Sequence, residues 1–206
     1  MRHLYWTKVA IRFIASILLS TFIYSFLLSF GIYNDDSTTN TLFMSGMIYL
    51  IIFGSLMILF FNVGVYQVHL PLSISFGSTR NEALKGLQFS RLTILVSMTI
   101  ITQLFTFFIP SDWNFAPYTL TVLTACIYLL CCSIGVLIGS VYNKLNKTVL
   151  GILRIAAVPI GLILSAVMAL LIIADIFVWL ILGMSLLFYG LCCLAEVRAV
   201  KNLYVR

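Results

Sequence analysis

The chain has 206 residues, 62% of them hydrophobic and only 9% charged, with a formal net charge of +6. A soluble domain carries about 25% charged residues, so this chain lacks the polar surface to fold in water, and its solvent has to be lipid. Its length leaves room for one membrane domain and none for a sizeable soluble one, and a basic balance then marks loops beside anionic lipid rather than a nucleic-acid surface.

Residues 1–12 carry Arg2, Lys8 and Arg12 without an acid, and Tyr5 and Trp6 fit an aromatic belt at a membrane–water interface. The first apolar run, 9–32, is long enough to cross a hydrocarbon core of about 30 Å. It is longer than the apolar region of a secretory signal, and no clear small-x-small cleavage site follows it. A polar segment with Asp35 and Asp36 leads to a second span, 42–68, with Asn62, Gly64 and Gln67 in its second half. Pro71 cannot continue a helical hydrogen-bond ladder, so that helix is expected to end near His69.

The stretch 70–91, LPLSISFGSTRNEALKGLQFSR, is the longest polar interruption of the chain. Gly77 supplies a turn, and Thr79-Arg80-Asn81-Glu82 has the form of a capping box, in which the Thr79 oxygen and the Glu82 carboxylate each accept from the other's backbone N–H. A short helix is predicted to start there, with Ala83, Leu84 and Leu87 on one side and Glu82 and Lys85 able to pair on another. Arg91 closes the stretch and a third span, 92–109, follows. A loop bracketed by Pro110 and Pro117, with Asp112 and Trp113, leads to the fourth span, 118–141. Residues 142–154 carry Lys144, Lys147 and Arg154. Spans five (155–174) and six (176–195) are separated by Asp175, and a polar, basic tail begins at Glu196.

With six spans, all 12 lysines and arginines fall in segments on one side, and Asp35, Asp36, Asp112 and Asp175 fall on the other. The positive-inside rule places the basic side in the cytoplasm. The expected fold is an all-α polytopic membrane protein, a single transmembrane domain of six helices over 1–206 with both termini cytoplasmic.

This assignment puts no charged residue mid-span, which argues against a proton or ion relay. The sequence has no GxxxxGK[ST], so an ATP site would have to lie on another chain. His3 and His69 are the only histidines, both expected at an interface, and there is no GxSxG or HExxH. No catalytic or metal-binding residue is assigned, and the chain is not expected to be an enzyme by itself. Cys126, Cys131, Cys132, Cys192 and Cys193 sit in apolar runs without ligand spacing and read as space-fillers. Asn62, Gln67 and Gln103 either line a substrate path or hydrogen-bond between helices, the latter worth about 0.6 to 2 kcal/mol each. Gly135-x-x-x-Gly139, and the repeat Gly161, Ser165, Ala169, have the spacing of close helix contacts.

The wording Ser75-Phe76-Gly77-x-Thr79-Arg80, followed by Glu82 and Gly86 in a short charged helix, resembles the first cytoplasmic loop of small bacterial ABC-2-type transporter permeases. The resemblance covers the 70–91 stretch. It implies a coupling helix that docks onto a separate ABC ATPase subunit through Thr79, Arg80, Glu82, Leu84, Lys85 and Leu87. It further implies the permease subunit of an exporter in a bacterial cell (inner or plasma) membrane, paired with a second copy or a similar permease. ATP and Mg would be bound by the partner and no cofactor by this chain, and the apolar spans suit a hydrophobic or amphipathic substrate such as a peptide, lipid or drug. The other reading is a membrane scaffold, sensor or immunity-type protein that transports nothing.

Overall fold

A computed structural model describes residues 2–31, 38–106, 117–141 and 178–201. The predicted fifth span (155–174), Gly161, Ser165 and Ala169, and all four aspartates lie outside them. Every regular element described is helical: α1 (Arg2–Gly31), α2 (Thr38–Gly64), a π-helical segment (Val65–His69), α3 (Leu70–Ser75), α4 (Arg80–Thr106), α5 (Pro117–Val141) and α6 (Val178–Lys201). Among the described residues, five stretches are long and apolar enough to cross a membrane: Tyr5–Tyr24, Gly46–Ser75, Arg80–Leu104, Thr119–Ser140 and Trp179–Val200. Apolar sequence in lipid becomes helix because hydrocarbon offers no partner for backbone N–H and C=O groups, which must pair within the segment.

Side-chain contacts fix the direction of each helix. Tyr5 faces His69, Phe13 faces Phe61 and Tyr24 faces Tyr49, so α1 and α2 are antiparallel. Trp6 lies on Gly86, and Met98 lies against Gly54, so α4 runs with α1 and against α2. Tyr128 lies by Gly54, Gly135 by Leu59 and Gly139 by Tyr66, so α5 runs with α2. Ile181 shares a buried cluster with Val122, and the Ser185 hydroxyl reaches the Cys126 sulfur at 3.5 Å, so α6 runs beside α5 in the same direction. The end where α1 starts, α3 turns into α4, and α5 and α6 finish is called the turn end below. Ile17, Leu50, Ile58, Leu87, Ile94, Met98, Tyr128 and Cys132 are all fully buried in the main core.

The structure changes three sequence expectations. The second span does not stop near His69 but continues through Pro71 to Ser75, with Pro71 in the first turn of α3. The π-helical segment just before it explains this, because a widened turn relieves the clash between a proline ring and the preceding carbonyls. The predicted short helix and third span are one helix, α4. Nothing between Thr79 and Thr106 is a proline, so the change from polar to apolar composition at Leu92 marks no break. Trp6 is buried against Gly86 instead of facing an interface, and a Cβ on Gly86 would collide with its indole.

Candidate functional site at the turn end

Only residues 76–79 separate α3 from α4. The Gly77 N–H donates to the Ile74 carbonyl (3.0 Å) and the Ser78 N–H to the Ser73 carbonyl (3.1 Å), a Schellman stop. Gly77 holds φ at +81°, a conformation that a side chain would strain. Thr79, two residues on, caps the start of α4 at Arg80. The Glu82 N–H donates to Thr79 Oγ1 at 3.3 Å, and the Thr79 N–H donates to Glu82 Oε2 at 3.0 Å, completing the capping box. Glu82 also places an acid at the positive end of the α4 dipole.

This turn sorts the predicted contact residues into two sets. Thr79, Arg80, Glu82 and Lys85 are exposed, and so is Phe76, at 72%. Leu84 and Leu87 face inward: Leu84 packs with Tyr66, Leu70, Ala83 and Val200, and Leu87 belongs to the main core. The two leucines therefore root the helix in the bundle, and the charged residues form its outer face.

Behind the turn lies a polar cluster that sequence reasoning missed. Arg91 and Glu196, read as loop and tail, are both completely buried, and Arg91 Nη1 donates to Glu196 Oε2 at 2.6 Å. Tyr66, in the π-helical segment, donates its hydroxyl to Glu196 Oε1 and accepts from Arg91 Nη2 at 3.3 Å. The three side chains close a ring that joins the π-helical segment, α4 and α6 within stretches apolar enough to cross a membrane, so a charge, Arg91, sits in the middle of such a stretch, where the sequence reading placed none. Lone buried charges are costly in apolar surroundings, and here each charge has a partner at hydrogen-bond distance. The missed signal was helical spacing. Leu84, Leu87, Arg91, Ile94 and Met98 form one buried stripe, as do Ser185, Cys192, Glu196 and Val200, so the charged members face inward with their neighbours.

Of the other polar residues, Asn62 and Gln103 sit at helix contacts. Asn62 donates to the Ile58 carbonyl at 2.7 Å and to the Cys132 sulfur at 3.3 Å. Its Oδ1, like Gln67 Nε2 and Arg91 Nε, is buried with no partner among the described residues. Gln103 accepts from the Thr121 hydroxyl across α4 and α5. Asn62 and Gln67 lie toward the turn end, and Gln103 lies toward the other end of the bundle. Gly135 and Gly139 bring the α5 backbone against the second span: a Cβ on Gly135 would meet the Leu59 carbonyl at 2.8 Å, and one on Gly139 would collide with Tyr66. Cys126, Cys131, Cys132 and Cys192 are buried, Cys193 is half-buried, and all five carry free thiols. An apolar groove of about 370 Å³ lies at the other end of α1 and α2, lined by Tyr24, Ile48, Tyr49, Ile52, Phe53 and Leu56.

Comparison of the chain with protein-family models, with curated proteins and with solved structures gave no match.

Proposed function

We propose that the chain is the permease subunit of an ABC exporter of the ABC-2 kind, powered by ATP that a separate subunit hydrolyses. The observation that carries this reading is the turn between α3 and α4. A helix stop and a helix start are compressed into residues 76–79, and the helix that follows has a buried apolar root and an exposed charged face. That is the construction a membrane domain needs to hand a rigid element to a soluble partner, and it coincides with the residues of the ABC-2 resemblance. Arg80 offers a planar fork for a carboxylate on the ATPase, with Glu82, Lys85 and Phe76 beside it.

The reading includes a sixth crossing. The side-by-side, same-way run of α5 and α6 supports a return crossing between residues 141 and 178. The apolar 155–174 has the length, since about 20 helical residues span about 30 Å. Both termini and the basic segments then share the turn end, which the positive-inside rule assigns to the cytoplasm. Cysteines placed at Asn34 and Ser111 are expected to react with an impermeant maleimide in intact cells, and cysteines at Lys85 and Lys201 only after permeabilisation. In this reading the protein works in a bacterial cell membrane as a dimer with itself or a similar permease. The apolar groove between α1 and α2 supports a hydrophobic or amphipathic substrate.

The test is affinity purification of the tagged chain from its own host's membranes. An ABC ATPase and vanadate-sensitive ATP turnover are expected to co-purify, and Arg80→Glu is expected to lose both while remaining folded. Undiminished association and turnover in Arg80→Glu and Lys85→Glu would contradict the coupling role. Purification of the native chain without any ATPase would favour the scaffold, sensor or immunity-type reading.

A further inference from the structure

We infer that Tyr66, Arg91 and Glu196 are a mechanical joint that makes the exposed start of α4, the π-helical segment after α2 and the last turns of α6 move as one unit. The inference concerns the chain itself and holds whatever grips the outer face of α4. That helix is continuous from Arg80 to Thr106, so displacing its first turns displaces Arg91, about 16 Å further along at 1.5 Å per residue. Apolar helix surfaces in a bilayer slide at low cost, because lipid tails are as apolar as the side chains they replace. The Arg91–Glu196 pair cannot slide in that way, since separation would leave two buried charges without partners. The end of α6 therefore follows α4.

The third member adds a compliant element. Tyr66 sits in the π-helical segment, whose wide turns are weaker than those of an α-helix. Pro71, just beyond, supplies no backbone donor to stiffen it. Tyr5 reaches the same segment from α1 through a 2.8 Å hydrogen bond to His69. A pull on α4 thus arrives at the part of α2 best able to change its winding, and at the C-terminal turns of α6.

The experiment is amide hydrogen exchange on the full chain in lipid nanodiscs, with Gly86→Ala as the push, because its Cβ meets Trp6 and drives α4 away from α1. In the native background, exchange is expected to rise about fivefold or more in both 65–70 and 192–200, within the range of coupled neighbouring sites. In the background Arg91→Met with Glu196→Met, which removes both charges together, the same push is expected to change 192–200 by less than about twofold. Equal acceleration in the two backgrounds, or none at 192–200 in the native one, would overturn the joint. Tyr66→Phe gives a second reading should the double variant not fold. It removes one oxygen, so transmission to 65–70 is expected to fall while transmission to 192–200 persists, and an unchanged pattern at both would overturn the role given to Tyr66.

Discussion

Two neighbours hold α2 in opposite ways. Its seam with α5 is made by absence: Gly135 and Gly139 have no side chain, so the Leu59 backbone and the Tyr66 ring come into direct contact with the α5 backbone. Its junction with α4 and α6 is made by charge, through the ring of Tyr66, Arg91 and Glu196. In lipid neither contact has water to drive it. The first gains dispersion energy spread over many atoms and tolerates small shifts. The second concentrates its energy in three groups and is intact or broken. Tyr66 belongs to both, so the two contacts are not independent.

The comparison breaks most sharply at the charges. Arg91→Met leaves Glu196 buried without its cation and is expected to cost about 3–5 kcal/mol. The double change Arg91→Met with Glu196→Met is expected to regain most of that loss. Unfolding by SDS titration in detergent measures both, and a double variant no better than the single would mean that the ring contributes more than paired charge.

Gly139→Leu tests the seam. The added side chain has to displace Tyr66, so a loss of about 1–3 kcal/mol is expected from overpacking. Gly190→Leu, at a position on α6 with nothing within 4 Å among the described residues, is expected to stay within about 0.5 kcal/mol. Similar effects at the two glycines would show that the α2–α5 approach is not close. The smallest effect is expected at the turn itself: Thr79→Ala removes one half of an exposed capping box and should cost about 1 kcal/mol in the same titration.

The turn was legible in the sequence because each of its signals is local. Gly77 marks the turn, while Thr79 and Glu82 start the next helix, and the range of four residues is enough to state both capping-box hydrogen bonds in advance. The direction of Leu84 and Leu87 was not, since an apolar face on a loop helix suits either a partner or the chain's own core. The ring was illegible for a different reason. Arg91 lies 25 residues from Tyr66 and 105 from Glu196, and one sequence carries no record of which distant charges pair. Both charges also border polar segments, so composition alone reads them as loop and tail. Pro71 misled because the stop rule for proline assumes α-helical winding, which Val65–His69 do not follow.

The account rests on the outer face of α4 being where a soluble ATPase docks. A photo-crosslinking amino acid placed at Lys85, on that face, measures it most directly, with Leu87, buried on the opposite side of the same helix, as the control. In native membranes the probe at Lys85 is expected to capture a chain that carries a GxxxxGK[ST] motif, and the probe at Leu87 only segments of this chain. Capture of the same ATPase from both positions, or from neither, would contradict the proposed docking face.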